Sequence, residues 1–196
     1  MIRPERHGVR RATLEVQQST EKTSMRIDEW DQLSTMIASC VEAVCASAGF
    51  RTKYLGLVQQ RDRPWAETVS IIGLTGTLRG TLILSMPAAL LARTHPTGGT
   101  AFEATADWSS ELANLLLGRL KSRLMTHGVT IELSTPVSVS ATTFRFARFA
   151  GVPLVHEFEA ADIPFQVIFE SIATPDALFT TEDASAVVAP GELVTF

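Results

Sequence analysis

The chain has 196 residues, 45% of them apolar and 19% charged, enough for one ordinary domain with its own core and some length left for tails. Residues 1–26 hold six Lys or Arg against three Asp or Glu, net +3, while residues 27–196 hold eleven against eighteen, net −7. The mildly acidic body argues against broad nucleic-acid binding, though the basic first segment could touch nucleic acid or an acidic partner, and no eighteen-residue apolar run exists to make a transmembrane helix.

Residues 1–25 read as a flexible, solvated, basic tail without the apolar core of a secretory signal. Ser24 and Asp28 offer caps ahead of a helix over Ile27–Ala48, where Trp30, Leu33, Ile37, Val41 and Val44 repeat every three to four residues. Gly49 follows as its stop. Cys40 and Cys45, the only cysteines, lie five apart in this pattern and point in different directions. They read as separate buried or half-buried thiols, which suits a reducing compartment and a cytoplasmic location.

Thr52–Gln60 is expected as a strand, and Arg61-Asp62-Arg63-Pro64 as a turn. Trp65–Leu74 and Thr77–Met86 are the clearest strands, with Val69, Ile71, Leu78, Leu82 and Leu84 alternating with small or polar residues. Pro87 ends the second and opens a short helix over Pro87–Arg93. His95–Thr100 reads as a flexible loop. Ala104–Thr126 is the longest helix, stopped by Gly128. Val129–Leu133 and Val137–Thr143 read as strands around Pro136. Phe144–Phe149, Val152–Glu159 and Ile163–Ile172 read as further strands. Residues 174–196 form a weakly patterned C-terminal tail or extension.

Strands cluster after helices instead of alternating singly with them. This order predicts an α+β fold over residues 26–173, a mainly antiparallel sheet packed against a long central helix and an N-terminal helix.

Within the long helix, Trp108, Leu112, Leu115, Leu116, Leu120 and Leu124 form an apolar stripe expected to face the sheet. Asp107, Glu111, Asn114, Gly118 and Lys121, spaced four, three, four and three, line a different face. Glu111 and Asn114 are therefore neighbours pointing the same way. Glycine inside a helix costs roughly 1 kcal/mol relative to alanine, so Gly118 needs a reason. Its missing side chain either lets another surface approach the Asn114 carboxamide or lets the protein's own elements pack closely. Spacing alone does not separate these.

Glu-x-x-Asn on a long helix, with a proline some twenty residues on, resembles the signature of CheX/CheC-type chemotaxis phosphatases. Here it is Asp107-Trp-Ser-Ser-Glu111-Leu-Ala-Asn114-Leu-Leu-Leu-Gly118, then Ser134-Thr135-Pro136. Val69–Met86 is similar to the family's strand–turn–strand. The likeness covers about Ile27–Ile172, while both tails and the loops Arg61–Trp65 and His95–Phe102 lie outside it. The segment after Pro136 lacks a glycine often found in the family.

The resemblance implies a CheC/CheX-like fold and a phosphorylated CheY-like receiver domain as partner. The implied reaction is hydrolysis of the receiver's aspartyl phosphate, in chemotaxis or another two-component pathway. It implies that Asn114 orients the attacking water and that Glu111 pairs with the receiver's active-site lysine. Asp107, Gly118 and Lys121 are the expected docking residues beside them. Mg²⁺ would come with the receiver, and no cofactor of the chain's own is expected. The resemblance also implies a homodimer paired through edge strands. The alternative is a non-catalytic module of the same fold that binds a receiver or another signalling partner.

Other chemistry finds no support in the sequence. His7, His95, His127 and His156 have no metal-ligand spacing. Gly73-x-x-Gly76-x-x-x-Gly80 lacks the Lys-Ser/Thr of a phosphate loop and reads as turn geometry. No Gly-x-Ser-x-Gly elbow is present. Glu29-Trp-Asp-Gln32 on the first helix is a distant echo of a second Glu-x-x-Asn site, with Gln in place of Asn.

Overall fold

Strand alternation and helical periodicity resolve into a helix-covered sheet. The computed structural model describes residues 27–58, 66–141 and 152–173. The basic tail, the Arg61–Pro64 turn, the Phe144–Phe149 strand and the C-terminal tail lie outside the described residues. In chain order the elements are α1 (Ile27–Ser47), β1 (Lys53–Leu57), β2 (Thr68–Gly76), β3 (Arg79–Met86), α2 (Ala88–Thr94), α3 (Phe102–Met125), β4 (Ile131–Leu133), β5 (Val137–Ser140), β6 (Val152–Ala160) and β7 (Ile163–Ala173). The expected elements are present with ends displaced by a few residues: β2 starts at Thr68 instead of Trp65, and α3 at Phe102 instead of Ala104.

The strands form one sheet in the order β1-β6-β7-β3-β2-β4, with β5 also on β2. Every pairing is antiparallel. The expected α+β architecture is therefore the one observed. β4 and β5 are two halves of one edge strand. Leu133 pairs with Leu74 and Val137 with Ile71, and the chain between them steps out at Ser134-Thr135-Pro136. Ser134 holds the break to β2: its Oγ accepts from the Gly73 N–H at 2.9 Å, and its N–H donates to the Gly73 carbonyl at 3.0 Å. Pro136 has no N–H to give a ladder, so an edge break is where it does least harm.

α1 and α3 lie on the same sheet face, α1 towards β1 and β6, α3 towards β2, β3 and β5. The main core sits between the layers. Leu33, Ile37, Val41 and Val44 of α1 meet Leu82, Leu84, Phe158, Val167 and Phe169 of the sheet, together with the buried leucines of α3. A smaller cluster on the opposite face gathers Val69, Ile83, Val155 and Ile168. Cys40 and Cys45 are both buried and free. Burial pushes the Cys45 thiol up to about 12.

Close backbone contact accounts for the glycine at the start of β3. A side chain on Gly80 would run into the Glu170 carbonyl of β7, where the β3–β7 register shifts. The β6–β7 turn is tight. Ala160 pairs with Ile163, and Ala161 and Asp162 between them have φ of 50° and 62°. Both values are left-handed, as a two-residue hairpin of this twist requires. The Arg93 guanidinium of α2 donates to the Ala161 carbonyl at 3.2 Å.

His156 of β6 is fully buried on the helix-covered face. Its Nδ1 meets the Tyr54 hydroxyl at 3.2 Å, joining β1 to β6. Nε2 has no partner among the described residues. Burial lowers the His156 pKa from 6.5 to about 4. Above pH 6.5 the ring is neutral in both the folded and unfolded chain, and its charge costs nothing. Between pH 6.5 and 4 the unfolded chain binds a proton that the folded chain refuses, so stability falls. The loss approaches about 3 kcal/mol near pH 4. Denaturant midpoints taken from pH 7 to 4.5 should therefore decline more steeply for the wild type than for His156→Leu, whatever that variant's stability at pH 7.

Candidate functional site

The candidate site is the solvent side of α3, and what fixes it is the side that is buried. Thr105, Trp108, Ser109, Leu112, Ala113, Leu116, Leu117, Leu120 and Leu124 form the buried arc. Five of the six predicted stripe residues lie in it. Leu115 does not: it is 43% exposed. Successive residues turn by about 100°, so the run Leu115-Leu116-Leu117 cannot all face the sheet. Leu116 and Leu117 fall inside the arc, and Leu115 passes its edge, one turn beyond Glu111.

On the opposite side Asp107, Glu111, Asn114 and Gly118 are exposed, and Lys121 is half-buried. The five predicted residues thus do share a face. A side chain built on Gly118 would meet nothing within 4 Å. No described element packs there, so among the described residues Gly118 leaves open space on the surface one turn from Asn114.

A hydroxyl cluster holds the turn of α3 that precedes this pair. Ser109 Oγ lies 2.7 Å from Ser70 Oγ of β2, and Ser110 Oγ lies 2.6 Å from Ser138 Oγ of β5. Ser70 and Ser138 also meet each other, and Thr68 Oγ1 meets Ser140 Oγ at 2.9 Å. Ser70 and Ser109 are buried. Hydroxyls removed from water need partners, and these find them only in one rotational setting of α3. Nothing in the sequence pointed to them, because the partners lie 28 to 72 residues apart along the chain and have no periodic pattern.

The loop read as flexible is instead tied at the head of α3. His95 Nδ1 accepts from the backbone N–H groups of Thr97 and Gly99, each at 3.2 Å. Its ring meets Trp108 edge-on, with centroids 6.0 Å apart, and Trp108 Nε1 donates to Thr94 Oγ1 at 3.1 Å. At the other end, Gly128 at φ 74° reverses the chain, and the Val129 N–H returns to the Leu124 carbonyl at 3.0 Å.

The first-helix echo is not presented in the same way. Glu29 is only 5% exposed, while Gln32 is exposed, so the two do not share an open face. Among the described residues, no three His, Cys, Asp or Glu side chains are grouped to hold a metal ion. Among the described residues no helix is long and apolar enough to cross a membrane.

The family model described as chemotaxis phosphatase CheX matches residues 68–156, a span that contains the whole Asp107–Lys121 face and the Ser134–Pro136 break. No curated protein matches the chain. The solved chemotaxis protein CheX from Vibrio vulnificus aligns with a TM-score of 0.64 at 17% identity, covering 71% of this chain and 99% of that one. A CheC-like superfamily protein from Shewanella sp. PV-4 aligns with a TM-score of 0.64 at 18% identity, covering 75% and 99%. A chain of the CheX–CheY–BeF3–Mg²⁺ complex from Borrelia burgdorferi aligns with a TM-score of 0.56 at 16% identity, covering 74% and 99%. At these identities the structural likeness is one of fold. The family model over residues 68–156 and the shared fold agree with the resemblance: the fold is CheX/CheC-like.

With open space around it, Gly118→Ala should raise helix stability without a clash, by up to about 1 kcal/mol. Thermal unfolding should show a higher midpoint. A lower one would mean that the position is packed after all.

Proposed function

We propose that this chain hydrolyses the aspartyl phosphate of a CheY-like receiver domain, in chemotaxis or another two-component pathway. The observation that carries this reading is the joint exposure of Glu111 and Asn114 on one face of α3, with open space at Gly118. The match to the chemotaxis phosphatase CheX model and the likeness to a CheX solved together with CheY support it.

The chemistry suits the two side chains. Phosphoryl transfer has a loose transition state, so positioning an in-line water does most of the catalytic work. A neutral carboxamide can hydrogen-bond that water without repelling the phosphoryl oxygens, which is the role of Asn114. Water oxygen bonds to phosphorus, the bond from phosphorus to the aspartyl oxygen breaks, the receiver's carboxylate is regenerated, and inorganic phosphate leaves carrying the protons of the water. No strong base is needed, because phosphoryl loss runs ahead of water deprotonation. A carboxylate beside the phosphate would be repelled by it, so Glu111 acts elsewhere. It pairs with a lysine of the receiver and sets the register that brings Asn114 to the phosphoryl group. Asp107 and Lys121 flank the contact. The Mg²⁺ is the receiver's. The working domain spans residues 26–173, with tails on either side, and acts in the cytoplasm.

A second copy of the chain is the other partner in this reading. Val137 and Val139 of edge strand β5 are 59% and 41% exposed, an apolar edge that strand pairing would cover. Light scattering should give twice the monomer mass, and Val139→Lys should lower it to one.

The activity is tested by loading receivers of the same organism with a small phosphodonor and following phosphate release. The wild type should accelerate release from at least one of them. Asn114→Ala should remove most of that acceleration, on the order of 100-fold, while binding to the loaded receiver survives. Binding without acceleration by the wild type would mark a non-catalytic receiver-binding module. An unchanged rate in Asn114→Ala would place the chemistry on other residues.

A further inference from the structure

Two large apolar side chains stand on the working side of α3 with no part in the core. Leu115 is 43% exposed and Met125 57% exposed. Leu115 lies one turn after Glu111 and three residues before Gly118. Met125 lies seven residues, two turns, beyond Gly118. All four positions therefore line one strip of the helix. The core beneath is closed without them, by Leu112, Leu116, Leu120 and Leu124. A lone exposed leucine needs no explanation. Two apolar groups flanking an empty glycine position, directly beside an exposed carboxylate and carboxamide, are a different arrangement.

We propose that Leu115 and Met125 are apolar docking residues for the phosphorylated receiver, with Gly118 between them as the point of closest backbone approach. This rests on the reading of Glu111 and Asn114 given above. The strip commits the partner to a particular surface. It needs a cation to meet Glu111 and Asp107 at one end, and an aliphatic patch next to it to cover Leu115 and Met125. Charge complementarity sets the direction of docking. The apolar strip determines how long the complex lasts, because burying apolar area slows dissociation more than it speeds encounter. Leu115 and Met125 are positioning residues: they touch the partner and not the phosphoryl group.

The test is steady-state dephosphorylation with Leu115→Gln, Met125→Gln and Leu115→Met, all of which keep good helix formers. Leu115→Gln should raise the half-saturating concentration of phosphorylated receiver about tenfold and leave the saturated rate unchanged. Met125→Gln should do the same to a smaller degree. Leu115→Met should remain near wild type, and thermal midpoints should be conserved because both sites are exposed. Asn114→Ala, by contrast, should lower the saturated rate. If Leu115→Gln leaves the half-saturating concentration unchanged while the wild type is active, the inference falls and the phosphatase reading stands. If Leu115→Gln converts a dimer to a monomer, the strip serves a second copy of the chain and the inference is overturned. If the wild type neither binds nor dephosphorylates any receiver, the underlying reading fails first.

Discussion

The contact between α3 and the sheet is the constraint on which the rest depends. A helix offers its whole circumference, and what is buried decides what is presented. Here the buried arc runs from Thr105 to Leu124, apolar along most of its length and hydroxylic where Ser109 meets Ser70 and its neighbour Ser110 meets Ser138. An apolar bed alone tolerates some rolling. Paired hydroxyls do not, because a small rotation leaves both partners buried and unsatisfied. Glu111 and Asn114 follow directly after these serines, so their aim is set within a single turn of the helix.

In the proposed reaction the division of labour on the exposed side would follow from charge: an anionic phosphoryl group repels a carboxylate and accepts a carboxamide, so Asn114 and Glu111 would not exchange roles. The match of residues 68–156 to the CheX model covers the elements that hold this face in place, from β2 through α3 to the broken edge strand. α1, β1, the end of β6 and all of β7 lie outside the matched span, while the structural alignments with the Vibrio vulnificus and Shewanella proteins cover 71% and 75% of the chain and so reach beyond it.

Much of this was legible in the sequence, for identifiable reasons. The stripes of α1 and α3 are periodic, and Gly49, Gly128 and Pro87 punctuate elements by local chemistry alone, so the element order came through. Glu111 and Asn114 stood out through a short motif on a long helix. Leu115 was assigned to the core because three consecutive leucines satisfy any apolar stripe, and only the direction of the arc separates them. The hydroxyl cluster and the Tyr54–His156 contact were invisible, since each joins residues remote along the chain with no repeating signal. The loop at His95 was read as flexible from its glycines and threonines. Its order depends on one imidazole nitrogen accepting two backbone N–H groups.

The sheet order has a consequence for how the chain reaches this state. β7 is inserted between β3 and β6, and among the described strands β1 pairs with β6 alone. The bond between Tyr54 and His156 closes a span of 102 residues. Contacts this distant are made late, because a large loop must be closed before they return any stabilisation. During synthesis, β1 and the outer side of β3 must wait for the last third of the chain while their ladder groups stay unpaired. Slow folding, with exposed strand edges in its early stages, is the kinetic counterpart of a sheet whose final strands are its central ones.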